Sequence, residues 1–140
     1  MEKILTSKTE IIAELPFYTE GPVIDRYGNI YFTTLRGGCI FKVDVSGNLS
    51  QWAFSQCPNG QVILNNEDHL ICDSKLGTVK RFDRDGKFIR DETSRYCAGE
   101  PVTCPNDIIS DSEGNIYFTD SVRFKGRVFF LGIDGTQKMV

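Results

Sequence analysis

The sequence predicts an all-β protein made of about three four-stranded antiparallel sheets, and three observations support this fold class. Short runs rich in Val, Ile, Phe and Tyr alternate with Asp-Gly, Gly-Asn and Ser-Gly turn signals. No stretch sustains the 3.6-residue hydrophobic period of an amphipathic helix. The succession of strands and turns occurs three times, which indicates a repeat architecture. We therefore expect one domain of stacked sheets.

The chain begins with a segment that precedes the repeats. Residues 9–15, Thr-Glu-Ile-Ile-Ala-Glu-Leu, have the composition of an isolated strand, so residues 1–19 are interpreted as a leading strand. In closed rings of sheets such a strand often completes the last sheet. We expect its partner sheet to lie outside this chain.

The first repeat is assigned to residues 20–57. It opens with Glu20-Gly21-Pro22-Val23, and its further strands are expected over 27–34, 39–44 and 49–54. Each boundary follows a turn signal, such as the Gly-Asn before Ile30.

The second and third repeats are assigned to residues 58–104 and 105–140. Strands of the second are expected over 67–73, 78–83 and 87–90, and residues 91–100 are interpreted as a polar connection to the next repeat. Those of the third are expected over 106–109, 113–120 and 127–131, with a final short run to Val140. The third repeat is therefore expected to be incomplete.

One polar position is shared by the three repeats, eight residues before the first turn of each. Its occupants are Glu20, Asn59 and Asn106, at spacings of 39 and 47 residues, which is the period of a β-propeller blade. A lone four-stranded sheet cannot bury both faces, so the sheets must stack, either radially as blades or linearly. A sandwich or barrel with similar turns is the alternative architecture.

If the sheets are propeller blades, these three side chains converge on the central channel. Carboxylate and amide oxygens are hard donors, suited to calcium, magnesium or manganese, although one charged donor with two amides would bind weakly. The alternative is local: the two asparagines would bond their own backbone in turns, and Glu20 would be a surface acid.

Charge and composition exclude several function classes. The formal net charge is −3, with both signs interspersed, so neither nucleic acid nor a membrane is an expected partner. The N-terminus carries charges where a signal peptide needs an apolar run, so we expect a soluble, cytoplasmic protein. The five cysteines lack a CxxC pair and are expected to be reduced packing residues; they are Cys39, Cys57, Cys72, Cys97 and Cys104.

Common catalytic motifs are missing from the sequence. It has no GxSxG elbow, no phosphate-binding glycine loop and no HExxH helix. The only histidine, His69, follows a charged turn, and we expect a solvated position at a strand edge without a partner to orient it as a base.

Three motifs resemble the gluconolactonase/SMP-30 family. They are Glu20-Gly21-Pro22-Val23, Pro58-Asn59-Gly60 and, most specifically, the stretch from Pro105-Asn106-Asp107 to Ser121. The resemblance runs from about Thr19 to the C-terminus. It implies the N-terminal half of a six-bladed β-propeller that hydrolyses a sugar lactone or related cyclic ester with a divalent metal ion. Strictosidine-synthase-like propellers share the blade pattern but match this third motif less well.

The resemblance also implies roles for individual residues. Glu20 matches the family's first metal ligand, and Asn106 matches an asparagine beside the metal that contacts substrate or the ion's water shell. Cys104 stands where the family often has a substrate-contacting side chain, and Asn59 occupies the blade-two position. The implied cofactor is calcium, with zinc, magnesium or manganese as alternatives.

The family's later ligands, an asparagine from blade four and an aspartate from blade five that also serves as general base, would lie beyond Val140. We therefore assign no catalytic residue and expect a truncated lactonase that is inactive alone. Two alternatives remain. The chain could be a non-catalytic half-propeller that binds a small molecule or a protein, or two half-rings could self-associate through their exposed blade faces and form one metal site.

Overall fold

The structure is a computed structural model that describes residues 9–140. Their secondary structure comprises fourteen strands, arranged as three four-stranded antiparallel sheets and one two-stranded ribbon. The predicted all-β fold class is therefore confirmed. None of the described residues forms a helix with the length and hydrophobicity that a membrane span requires.

The three large sheets, here called blades one to three, each contain four strands in sequential order. Blade one consists of β1 (Thr19–Ile24), β2 (Ile30–Thr34), β3 (Cys39–Val43) and β4 (Leu49–Phe54). Blade two consists of β5 (Pro58–Ile63), β6 (His69–Asp73), β7 (Thr78–Phe82) and β8 (Phe88–Asp91). Blade three consists of β11 (Pro105–Ser110), β12 (Ile116–Asp120), β13 (Arg127–Leu131) and β14 (Gln137–Met139).

Tight turns between neighbouring strands are organised by aspartates. Asp25 shows the pattern: one carboxylate oxygen accepts hydrogen bonds from the backbone N–H groups of Tyr27 and Asn29, both at 2.9 Å. The side chain of an aspartate thereby closes the turn in place of a backbone group. The same bonding recurs at Asp44, Asp83 and Asp111.

The core lies between the blades. Blades one and two enclose Ile40, Ala53, Ile71 and Phe82, against which Trp52 packs. Blades two and three enclose a larger apolar cluster that includes Leu70, Cys72, Val79, Phe118 and Phe129. Alternate residues of one strand thus serve different junctions: Ile71 faces blade one, whereas Leu70 and Cys72 face blade three. This alternation is why the inner strands are apolar on both faces.

Residues 9–15, the described part of the predicted leading strand, pair with no strand of the described chain. Each large sheet already has its own fourth strand, so the expectation that the partner sheet lies outside this chain stays a prediction. Residues 1–8 of the predicted segment lie outside the described residues. The connection between blades two and three is more ordered than expected, because β9 (Tyr96–Cys97) and β10 (Glu100–Pro101) pair as a small ribbon.

The expectation that His69 is solvated was also wrong. His69 is 2% exposed and packs edge-on to Tyr31 and against Trp52. Its Nδ1 lies 3.5 Å from Oε1 of Gln61. Burial is the main reason that the pKa of His69 falls to about 4, although Asp25 and Asp68 oppose the shift. The imidazole is therefore a neutral part of the junction between blades one and two.

Candidate functional site

The first strand of each blade has a β-bulge at the same place. Register shifts between Glu20 and Val23 in β1, and the corresponding shifts in β5 and β11 begin at Pro58 and Pro105. Thr19, Pro58 and Pro105 pair with Thr34, Asp73 and Asp120, which end the second strand of each blade. The residues that follow them, the predicted Glu20, Asn59 and Asn106, are therefore equivalent. All three therefore lie at bulges in the innermost strands, where bulges commonly re-aim side chains.

Glycines bring these bulges together. A Cβ added to Gly21 would lie 2.6 Å from the carbonyl oxygen of Asn59, and one added to Gly60 would lie 2.5 Å from that of Asn106. Such distances leave no room for a side chain, so both junctions depend on glycine. The backbone of Glu20-Gly21 is thus next to Asn59, and the backbone of Asn59-Gly60 is next to Asn106.

The side chain of Asn59 links blades two and three. It is 6% exposed, and its Nδ2 donates a hydrogen bond to Oγ of Ser74 at 3.0 Å. The Ser74 hydroxyl in turn donates to the carbonyl oxygen of Pro105 at 2.7 Å. Asn59 thus bonds a neighbouring strand end and not its own turn. Its role as a substrate-binding residue stays a prediction.

The side chains of Glu20 and Asn106 are both half-buried. Oε2 of Glu20 accepts one hydrogen bond, from the backbone N–H of Gly21 at 3.3 Å. The side chain of Asn106 makes no hydrogen bond with any other residue in the range 9–140. The Glu20 carboxylate and the Asn106 amide therefore retain most of their capacity to bind a ligand.

Cys104 lies in the connection that enters blade three, immediately before β11. Its carbonyl oxygen accepts a hydrogen bond from the backbone N–H of Ser121, and its own N–H donates to the carboxylate of Asp120. The thiol is half-buried and free. Cys57 holds the same place before β5, and burial followed by the nearby Asp73 carboxylate raises the pKa of its thiol.

Two buried aspartates, which were not among the residues predicted from the sequence, fix these connections. Asp73 is fully buried, and its Oδ2 accepts from the Ser55 hydroxyl and from the backbone N–H of Gln56 at 2.8 Å and of Cys57 at 3.2 Å. Its Oδ1 accepts from two further N–H groups, those of Lys75 and Leu76. Burial alone would raise the pKa of Asp73, but these hydrogen bonds hold it below its ordinary value.

Asp120 performs the same task in blade three, where it accepts hydrogen bonds from the N–H groups of Thr103 and Cys104. A signal for both aspartates is present in the sequence. Each lies fourteen residues after the asparagine of its bulge and is followed by serine, as Asp73-Ser74 and Asp120-Ser121. In blade one the equivalent residue is Thr34, whose hydroxyl donates to the carbonyl of Cys39 at 2.9 Å.

The donor set agrees in kind with the divalent metal ion that the motifs imply. Glu20 offers a carboxylate with one weak protein hydrogen bond, and Asn106 offers a free amide oxygen, so both are hard donors. No group of three or more His, Cys, Asp or Glu side chains suited to a metal ion occurs within residues 9–140. Of the three predicted residues at the bulges, Glu20 is the one that carries a charge.

Comparisons with known proteins complete the description of the site. No family model matches the chain. The lactonase drp35 of Staphylococcus haemolyticus is 32% identical over an alignment of 125 residues, which covers 82% of this chain and 38% of that protein. The chain thus spans well under half the length of this relative.

Solved structures show the fold. A gluconolactonase from Xanthomonas campestris superimposes with a TM-score of 0.79 and 20% identity, over 92% of this chain and 48% of that chain. A streptogramin B lyase superimposes with a TM-score of 0.70 and 20% identity, over 91% of this chain and 42% of that chain. The three blades therefore correspond to about half of such a protein.

Proposed function

We propose that this chain forms part of a metal-dependent lactone hydrolase, because it is similar in sequence to a lactonase and in fold to a gluconolactonase. The observation that supports this most directly is the stacking of the three bulges, which sets the backbones of Glu20, Asn59 and Asn106 side by side. The substrate class is a sugar lactone or a related cyclic ester.

In this proposal each residue has a limited task. Glu20 binds the cation through its carboxylate, and Asn106 orients the substrate through its free amide. Cys104 borders the substrate, while Asn59 and Ser74 brace the strands that carry the other two. A divalent cation held at Glu20 would supply positive charge beside the lactone carbonyl. In the overall reaction, water oxygen bonds to the carbonyl carbon, the ring C–O bond breaks, and the ring oxygen receives a proton.

The proposal includes a limit on activity. The only histidine is buried in a blade junction and is neutral above a pKa of about 4, so it is not placed to take a proton from water at the bulges. Asp73 and Asp120 have their oxygens occupied by backbone N–H groups. Without a base at the site, we propose that the isolated chain binds metal weakly and does not turn over lactone.

Calcium titration by calorimetry tests the metal-binding step. Glu20→Gln removes the charge and keeps the shape, so calcium affinity should fall by about tenfold or more. Glu113→Gln is the matched control, because Glu113 is an exposed acid in a turn of blade three and should leave affinity unchanged. Equal affinities of the wild type and the Glu20→Gln variant would refute the assignment of Glu20.

A pH-stat assay with gluconolactone tests the activity. The 140-residue chain with calcium should open the lactone no faster than the buffer does. Robust turnover by the monomeric chain that Glu20→Gln abolishes would contradict the proposed inactivity while leaving the lactonase assignment in place. Turnover that the same substitution leaves unchanged would contradict both.

A further inference from the structure

Each blade has two faces, and residues paired across its strands lie on the same face. The trailing face turns toward the following blade, and the leading face turns toward the preceding one. On the trailing face of blade one lie Tyr31, Thr33 and Ile40, and the equivalent residues of blade two are Leu70, Cys72 and Val79. All six are 3% exposed or less, because the next blade covers them.

The trailing face of blade three has the same chemistry but no cover. Its equivalent residues are Tyr117, Thr119 and Val128, and Val128 is 38% exposed. Ile109, which pairs with Tyr117 and corresponds to the partly buried Val62 of blade two, is 63% exposed. An apolar β-sheet face that two internal junctions bury is thus open to solvent at the third.

The leading face of blade one is open in the same way. Ile30 and Phe32 correspond to Ile116 and Phe118 of blade three, which are 7% and 1% exposed. Ile30 and Phe32 are only half-buried, and they border an open cavity of about 250 Å³. Ile24, which pairs with Ile30, is 67% exposed. Ile12 and Ala13 border the same cavity, but Ile12 is itself 58% exposed, so residues 9–15 cover this face only in part.

We propose that a second copy of this chain covers both faces, with the trailing face of each copy against the leading face of the other. The two open faces are the two halves of one type of junction, which the chain already forms twice internally. The chain corresponds to 48% of the Xanthomonas campestris gluconolactonase, so two copies supply as many blades as one such ring. A two-fold axis satisfies both junctions at once and leaves no open face.

The new junctions differ from the internal ones at the channel. Gly21 and Gly60 allow close approach of the next blade, but the equivalent residue of blade three is Asp107, which is exposed. Its side chain keeps the partner's Glu20 strand farther away than at the internal junctions. The dimer therefore has a wider channel and two copies of Glu20. The role of two Glu20 side chains in one channel rests on the proposed function. The association itself does not, since it is measured without metal or substrate.

Sedimentation equilibrium of the 140-residue chain between about 1 and 100 μM tests the association. We expect a species of twice the chain mass and no larger one. Ile109→Glu and Ile24→Glu each place a charge in both junctions, so each should weaken the dimer by about 100-fold or more. Ile133→Glu is the control: Ile133 is 73% exposed in the cleft between blades two and three, and its substitution should leave the dimer unchanged. Unaltered circular dichroism verifies that the variants are folded.

Mixing the two variants tests the pairing of unlike faces. Each variant alone has two damaged junctions, whereas a mixed dimer has one intact junction and one with both charges. Mixing should therefore restore measurable association. A chain that stays monomeric overturns the proposal, as does a ladder of open oligomers. An effect of Ile24→Glu without one of Ile109→Glu, or an equal effect of Ile133→Glu, also overturns it.

Discussion

Replacing Asp73 with Asn should lower the free energy of unfolding by about 3 kcal/mol. The carboxylate accepts hydrogen bonds at both oxygens, and Oδ1 alone binds the N–H groups of Lys75 and Leu76 at 3.0 and 2.9 Å. Asparagine keeps one acceptor oxygen, but an NH2 group replaces the other oxygen and faces the N–H groups that this oxygen had accepted. At least two buried N–H groups then lose their partner, and each such loss costs about 1–3 kcal/mol.

The substitution should also change how stability depends on pH. The pKa of Asp73 is lowered in the folded state, because hydrogen bonds to the carboxylate outweigh the opposing effect of burial. Its contribution is therefore complete above the unfolded pKa of about 3.9 and is lost as the pH falls through the lower folded pKa. Asp73→Asn should remove this part of the acid destabilisation.

Urea unfolding at neutral and acidic pH measures both effects. Asp44→Asn is the control, because Asp44 also accepts backbone N–H groups, from Ser46 and Asn48, but at a solvent-exposed turn. Water can replace its hydrogen bonds, so its loss should be much smaller. A change within about 0.5 kcal/mol for Asp73→Asn, or equal changes for both variants, would refute the reasoning.

Two further predictions concern the blade junctions. Proton NMR should show no titration of His69 between about pH 5 and 8, because the folded pKa of this histidine is about 4. That value lies below the unfolded pKa, so the free energy of unfolding should fall as the pH drops from about 6.5 to 4. A titration midpoint near 6.5 would contradict the buried position. Gly60→Ala should lower the free energy of unfolding in urea by about 2 kcal/mol or more, because its methyl group would lie 2.5 Å from the Asn106 carbonyl oxygen. Gly126→Ala is the control and should be nearly neutral, because its methyl group would be 4.0 Å from the nearest atom outside its chain neighbours. Similar losses of stability in the two variants would contradict the close approach at Gly60.

Turn chemistry made the blades predictable from the sequence. The Gly28 and Gly114 turns allowed the repeats to be aligned, and the register of the bulges agrees with that alignment. Local signals suffice there, because an aspartate or glycine fixes a turn through bonds to residues only two to four positions away. Glu67 tested this rule: it holds the glycine position of its turn at φ 70°, and its carboxylate forms an ion pair with Arg26.

The environment of His69 could not be predicted in this way. Its burial depends on Tyr31 and Trp52 of the preceding blade, and no local pattern encodes which side chains cross a junction. Asp73 and Asn59 were missed or left open for the same reason. Their partners, Ser55 and Ser74, are about fifteen or more residues away and meet them only when β5 pairs with β6.

Blade one differs from the other two in how its inner strand is held, and this difference falls on the proposed metal ligand. In blades two and three an aspartate bonds the backbone that enters the innermost strand, at Gln56-Cys57 and at Thr103-Cys104. Blade one has Thr34 at that position, and its hydroxyl is used within its own hairpin. The backbone that enters β1 therefore lacks these hydrogen bonds to an aspartate, and the adjoining leading face of blade one is open to solvent. A partner that covers the face would limit the motion of Glu20, so metal binding and closure of the ring should favour each other.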